Sequence, residues 1–408
     1  MNRARTMNVL VITYWDRGDP LVVNYTLPYL RIMQGQLPPG SKIHLVTLDK
    51  QVKRPPVEAD ADGFIRHGYP YKGFGLSGLG MVLSLAWSLV RLVHKHRIGT
   101  IHAWCTPAGM IGYLVSLATG KPLVLDSFEP HAEAMVENGT WKRKSWAFRM
   151  LFGFEKLQAR HAVSVIAATE GMRDYCKDKY HGVPERFHVK PACVDLVRYD
   201  PAVVQRKELR RAMGLEGKLV AVYAGKFGGI YLDREVFEIF RQARNHWGGK
   251  FHVLLLTGHT FKELWPWMQA ASLPPEMFTV QWADPKDVPA LLAVADWAIT
   301  PVKPVPTKRY CTPIKDGEYW AMGLPVMITQ GISDDSDIIS RNGAGTVIRK
   351  LDTAGYEEAV QQMADLLERG DEGLRTRIRS LAVRYRNFSL AVEVYRKVYG
   401  GELVSMRH

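Results

Sequence analysis

LVAVYAGKFGG, residues Leu219 to Gly229, decides how the chain divides. A short apolar run, rich in β-branched residues, passes directly into a glycine-rich turn, which reads as the first strand of a new α/β unit. A helical pattern follows from Asp233 to Trp247. Further strands are expected at Phe251 to Leu256, Phe278 to Trp282, Trp297 to Thr300 and Pro325 to Ile328. The same alternation runs upstream. Met7 to Thr13, Ile43 to Leu48, Ile98 to Trp104, Pro122 to Asp126 and Val163 to Ala168 read as strands. Helical stretches lie between them, among them one ending at Met33, Leu79 to His96 and Gly109 to Ala118. Thr169 is expected to cap a helix running to Lys179. Strands alternating with helices mean βαβ units and a parallel sheet. Pro184 to Pro201 holds three prolines and reads as a linker between the two runs. The fold class is therefore α/β, with two tandem Rossmann-like domains. Open parallel sheets bind ligands at their strand carboxyl ends, so a cleft between the domains is the expected site.

Bulk properties agree. The 408 residues suffice for two cores. Apolar residues make up 47% and charged residues 23%, so disorder is expected only at the ends, Met1 to Thr6 and Leu403 to His408. Cys105, Cys176, Cys193 and Cys311 are scattered, without a C-x-x-C pair, which argues against a disulfide framework or zinc site. Reduced thiols and a cytoplasmic location are the expectation. The apolar run after Met1-Asn2-Arg3-Ala4-Arg5 is too short for a signal peptide. Phe74 to Val90 is free of charge but carries three glycines and three serines, and reads as a buried amphipathic helix rather than a membrane span.

The net charge of +13 points to a polyanionic partner. No nucleic-acid-binding motif is present, so no nucleic acid is expected, which leaves phosphorylated substrates and an anionic membrane surface. Trp141 to Phe154 crowds two tryptophans, three phenylalanines and four basic residues into fourteen positions. That composition suits an interfacial helix on the cytoplasmic face of a membrane. It equally suits a surface helix whose aromatics pack on their own domain.

Two constellations can carry chemistry. In CTPIKDGEYWAMGLPV, Cys311 to Val326, Thr312 reads as a helix N-cap and Pro313 as the first helical residue. The free N–H groups behind the cap form an anion pocket. Lys315 stands in the first turn, where a cation opposes the helix dipole and makes sense beside a bound anion. Glu318 lies one turn deeper on the same face and could accept hydrogen bonds from a ribose diol. A capped surface helix with one ion pair accounts for the same residues. The second constellation is Asp126-Ser127-Phe128-Glu129-Pro130-His131-Ala132-Glu133. His131 could polarise a hydroxyl near neutral pH, oriented by Glu129 or Asp126. It could also simply cap the next helix. His102, inside its strand, reads as structural.

The pattern P-x-K-x-x-E-Y-x-A-x-G-x-P-V at 313–326 resembles the nucleotide-sugar helix of the retaining glycosyltransferase family 4, which has the GT-B architecture. Val220 to Gly225, Val288 to Ala298, His188 to Asp195 and Phe388 to Tyr399 resemble that family's nucleotide-domain first strand, a later strand approach, the interdomain connector and the returning C-terminal helix. The similarity covers most of the chain and is strongest from about Glu155 onward. It implies an acceptor-side domain of residues 1–200 plus 386–408 and a donor domain of residues 201–385. It also implies that Glu318 holds the ribose, that Lys226 and Lys315 meet the donor diphosphate, and that Gly225, Gly228 and Gly229 let backbone approach it. Thr312 belongs to the same donor pocket. His131 resembles a histidine common in the family's N-terminal loop. Tyr310 stands where many members have a second glutamate, eight residues before the first, so the donor sugar is open.

The implied activity is metal-independent, retaining transfer of a sugar from a nucleotide-diphosphate sugar to a glycan or lipid-linked acceptor, with no separate cofactor. Two other functions fit the same architecture: a non-hydrolysing sugar-nucleotide epimerase and a non-catalytic partner subunit.

Overall fold

Strands buried on both faces need apolar or internally satisfied residues at every position, and this chain supplies them in short runs. In the computed structural model, which describes residues 6–19, 21–50, 57–59, 63–73, 76–182, 184–369 and 373–400, every residue of Ile43–Asp49 and Ile98–Trp104 is buried. Residues 1–5 and 401–408, most of the two ends expected to lack order, lie outside the described residues, as does Phe74.

The chain divides into two units, Met1–Lys190 with Ser389–His408, and Pro191–Phe388. The first contains β1 (Asn8–Ile12), β2 (Ile43–Asp49), β3 (Val57–Ala59), β4 (Ile65–Pro70), β5 (Ile98–Trp104), β6 (Leu123–Phe128), β7 (Ser164–Ala167) and β8 (Phe187–Val189). They form one sheet in the order β3-β4-β2-β1-β5-β6-β7-β8, parallel except where β3 meets β4. The second contains β9 (Leu219–Ala224), β10 (Phe251–Leu256), β11 (Phe278–Gln281), β12 (Trp297–Thr300), β13 (Val326–Thr329) and β14 (Gly345–Ile348). Their order is β11-β10-β9-β12-β13-β14, all parallel. Each sheet reverses its direction of growth once, between β1 and β5 and between β9 and β12. Such switch points open crevices at the strand carboxyl ends.

Several elements differ from the sequence reading. Ile65–Pro70 mixes an arginine, a histidine, a glycine and a proline, so no apolar run announces β4. Phe187–Val189 lies inside the proline-bearing stretch read as a linker and pairs with β7. Thr169 is not the N-cap expected of it: it is fully buried, and the helix begins at Gly171 with Glu170 as its cap. The helix near Trp141 starts only at Trp146, where Ser145 Oγ accepts from Phe148 N at 3.2 Å. Phe148 turns inward, stacks on Phe152 at 5.4 Å and packs against Ala132 and Leu151.

A fully buried polar cluster ties the chain end to the first sheet. The Asp126 carboxylate takes a hydrogen bond from Tyr395 Oη at 2.7 Å and pairs with Lys190 Nζ at 3.2 Å. His102 Nε2 stands 3.3 Å from the same carboxylate, and His102 Nδ1 bonds Tyr399 Oη at 2.7 Å. The Lys190 ammonium also sits 3.7 Å from the centroid of the Tyr29 ring. Burial pushes Asp126 up, but Lys190, His102 and Tyr395 outweigh it and hold the carboxyl at about 2. Removing one partner of a buried ion pair costs about 3–5 kcal/mol, because the other charge stays uncompensated. Lys190→Met is therefore expected to lower urea-unfolding stability by that much, with partial recovery in the Lys190→Met/Asp126→Leu double variant. A single variant within about 1 kcal/mol of the parent would refute the role assigned to the pair.

A histidine group gives the first sheet a pH dependence. His44 Nδ1 and His67 Nε2 are 3.1 Å apart, and the His96 ring lies 4.5 Å from that of His44. Burial, with His96, Lys42 and Lys95 nearby, lowers His44 and His67 to about 4. The unfolded chain then binds more protons below the free histidine value of about 6.5, so stability falls as pH drops from there towards 4. Melting curves across that range are expected to show this loss, reduced in His67→Asn.

Candidate functional site

The second unit gathers its polar side chains at the β9/β12 switch point. β9 is buried through Val220, Ala221, Val222 and Tyr223, and ends at Ala224, just before Gly225. Gly225 has φ 156°, and a Cβ there would lie 2.8 Å from Lys315 Cε and 3.0 Å from Tyr223 Oη. Only glycine leaves room for the lysine to cross the strand end. Lys315 Nζ donates to Tyr231 Oη at 2.9 Å and lies 4.1 Å from that ring's centroid. Gly228 and Gly229, at φ 75° and 64°, turn the chain so that Tyr231 bridges to Val302 beyond β12. A Cβ on Gly229 would meet no other part of the protein within 4 Å, and the positive φ of both glycines sets the handedness of the turn. Lys226 is exposed, and its carbonyl accepts from Tyr223 Oη at 2.6 Å.

Lys315 and Glu318 project from the helix Ile314–Ala321. Glu318 is partly exposed, and its Oε1 accepts from Tyr199 Oη at 2.7 Å. Burial raises its pKa, against the pull of the Tyr199 hydrogen bond, Lys315 and Arg198. The N-cap is Pro313 with extended backbone, and no side chain caps the helix. Thr312 therefore stands one residue outside the cap position expected of it. Pro313 itself takes extended backbone, at φ −65° and ψ 123°, so the first helical residue is Ile314. Tyr310 ends the short 3-10 turn Pro306–Tyr310 and is half-buried.

Beneath this helix lies an anchor that sequence reasoning missed. Asp316 and Asp335 are fully buried, Thr300 Oγ1 donates to Asp316, and the Arg386 guanidinium donates to Asp335. Burial and the neighbouring Asp335 push Asp316 well above the usual carboxylate range. A proton on Asp316, donated to Asp335, satisfies the second oxygens of both groups, which otherwise have no donor. No spacing rule pairs residues 316, 335 and 386, so nothing in the sequence marked them. Tyr199 and Tyr231 were missed for the same reason. Of the two D-x-D triplets in the sequence, Asp335-Ser336-Asp337 commits Asp335 to Arg386, and Asp60-Ala61-Asp62 lies outside the described residues.

The first unit holds its own crevice, at the β1/β5 switch point. A 590 Å3 pocket is lined by Tyr14, Trp15, Asp16, Asp19, Tyr71 and His131, among others. His131 opens the helix His131–Glu137, and its Nδ1 lies 3.1 Å from Glu129 Oε1. The Glu129 carbonyl accepts from Thr106 Oγ1 at 2.7 Å, which fixes the loop. Asp126 does not orient His131, because it is taken by Lys190 and Tyr395 within the sheet. His102 is structural, buried against Tyr399.

Residues 29–193 match the family model described as Glycosyl transferase 4-like domain. The match falls on the half in which the sequence resemblance to family 4 is weaker. Sucrose-phosphate synthase from Thermosynechococcus elongatus superposes with a TM-score of 0.73 at 13% identity, covering 97% of this chain and 100% of that one. Anabaena Alr3699/HepE in complex with UDP gives 0.72 at 13% identity, with the same coverage of 97% and 100%. WaaG, a glycosyltransferase involved in lipopolysaccharide biosynthesis, gives 0.69 at 15% identity, again covering 97% and 100%. No curated protein matches the chain by sequence. The fold is the two-domain GT-B architecture.

The anchor yields a prediction. Asp316→Asn keeps a donor towards Asp335 and removes a group that burial disfavours as an anion, so stability at pH 7 is expected to stay within about 1 kcal/mol of the parent. Asp335→Ala strands the buried Arg386 and is expected to cost about 3–5 kcal/mol. Equal losses in the two variants, measured by chemical unfolding, would contradict the shared proton.

Proposed function

We propose that this protein is a glycosyltransferase that moves a sugar, with retention, from a nucleotide-diphosphate sugar to a lipid-linked or cell-envelope glycan. The observation that carries the reading is Lys315 crossing Gly225 at the switch point of the second sheet, with Glu318 one turn deeper on the same helix. A diphosphate placed over the helix N-terminus would meet an ammonium group and the first N–H groups of the helix, while a ribose reaches the Glu318 carboxylate. The sugar–phosphate bond breaks, and the negative charge that develops on the leaving diphosphate is met by Lys315, the helix terminus and Lys226. The acceptor hydroxyl attacks from the face that the diphosphate leaves. His131, with Glu129, would polarise a sugar hydroxyl from the first unit's pocket. Lysines supply the cationic charge, so no metal is required. HepE has been crystallised with UDP and with UDP-glucose, which makes uridine donors the first to try.

Incubation with nucleotide sugars and glycolipid acceptors is expected to release nucleoside diphosphate in proportion to product, and to do so in the presence of a chelator. Glu318→Ala is expected to lower kcat/KM about tenfold or more, the size of one lost hydrogen bond to a charged group. Tyr199→Phe leaves that carboxylate in place and is expected to cost less. An unchanged kcat/KM in Glu318→Ala would remove the ribose role, and a new sugar epimer formed without any acceptor would replace transfer by epimerisation.

A further inference from the structure

Three helices of the first unit, Leu76–Lys95, Thr106–Thr119 and Trp146–His161, form one layer, in which the middle helix packs against both others. Each buries an apolar face, yet each also leaves large apolar side chains in water. Leu83 and Trp87 on the first, Leu117 on the second, and Trp146 and Leu157 on the third are between 47% and 62% exposed. Scattered apolar side chains on a surface are ordinary, but this set shares one helical layer.

The charges on the same layer are one-sided. The first two helices contain no acidic residue. The third contains only Glu155, which is fully buried and accepts from Ala132 N at 2.8 Å and Tyr180 Oη at 2.9 Å. Arg91, Lys95 and Arg149 are exposed, and so are Lys142 and Lys144 just before the third helix. Arg91 lies 5.2 Å from the Trp87 ring, so a cation and an aromatic face are presented together. Arg143 is spent on Glu133 at 2.7 Å. No helix among the described residues is long and apolar enough to cross a membrane.

We propose that the outward side of this layer docks on an anionic lipid surface, with Trp87, Leu83 and Trp146 at headgroup depth and Arg91, Lys95 and Arg149 against the lipid phosphates. Exposed tryptophan and leucine without any exposed carboxylate, framed by cations, is the surface that an anionic bilayer complements. A globular protein partner of mixed charge would bring cations that this face repels, whereas an anionic bilayer presents net negative charge throughout. The proposal deepens the lipid-linked acceptor reading and shifts its contact away from Phe148 and Phe152, which pack inward. Docking requires none of the donor chemistry, so it stands or falls separately from the transfer reaction.

The test is co-sedimentation of the full chain, without donor, with phosphatidylcholine vesicles and with vesicles containing phosphatidylglycerol. Binding to the anionic vesicles is expected, weakening as salt rises because screening shortens the field. Arg91→Glu/Lys95→Glu/Arg149→Glu is expected to weaken partition by well over tenfold, since each cation near an anionic surface contributes roughly fivefold. Leu83→Ser/Trp87→Ser is expected to weaken binding while leaving the salt dependence, with circular dichroism confirming that both variants fold. Absent binding, equal binding to both vesicle types, or binding indifferent to both variants would overturn the proposal. So would a dimer in sedimentation that the Leu83→Ser/Trp87→Ser variant dissolves, which would assign the face to a second copy of the chain.

Discussion

Arg386 and Asp335 meet inside the second unit, out of reach of water, and the candidate donor site hangs on that contact. Asp335 begins the helix after β13, and Arg386 comes from the far end of the unit, so the pair fastens the last segment of the unit to its sheet. Asp316 joins them from the helix Ile314–Ala321. Gly317 matters for the same reason: a Cβ there would lie 3.2 Å from Arg386 Cγ. With one face of the helix held this way, Lys315 and Glu318 on its other side are aimed at the end of β9. Preorganised charge of this kind costs nothing to arrange when a ligand arrives.

The first unit uses the same device with different residues. Asp126 lies within the buried strand β6, and its partner Lys190 is the last residue of the long N-terminal run. Tyr395 and Tyr399, just over two hundred residues further on, complete the cluster from the final helix. Buried ion pairs stabilise little overall once desolvation is counted, but they tolerate few alternative arrangements. In both units the effect is to make a segment distant in sequence part of the sheet's own core.

Charge is distributed unevenly around these cores. The ammonium of Lys315 sits against two phenol rings, Tyr231 at 4.1 Å and Tyr223 at 5.8 Å. Neither ring offers a counter-charge, so the cation stays available to an anion. The layer of Leu76–Lys95, Thr106–Thr119 and Trp146–His161 in the first unit, for its part, carries no exposed carboxylate. A net charge of +13 therefore has identifiable places in the fold rather than a uniform spread.

Local pattern was enough for much of this. β5, β9, β10 and β12 stand where their apolar runs begin and end, because a strand buried on both faces has to be apolar along its length. The helix of Lys315 and Glu318 was legible from its proline and its spacing, and so was the closeness of His131 to Glu129, two residues apart. β4 and β8 were not, since one carries mixed polarity and the other is three residues long. Thr312 was misplaced by one position because proline's own backbone preference set the junction. The inward turn of Phe148 and the outward turn of Trp87 depend on which helix packs beside them. Tyr395, Tyr199 and Arg386, which bond Asp126, Glu318 and Asp335, lie 269, 119 and 51 residues away. The sequence by itself determined the strands, the helices and the candidate ligand-bearing residues, because these follow from neighbours along the chain. Only the tertiary structure decided which buried carboxylates are paired and which side chains face water, because burial is a property of what folds against a residue and not of the residue's own segment.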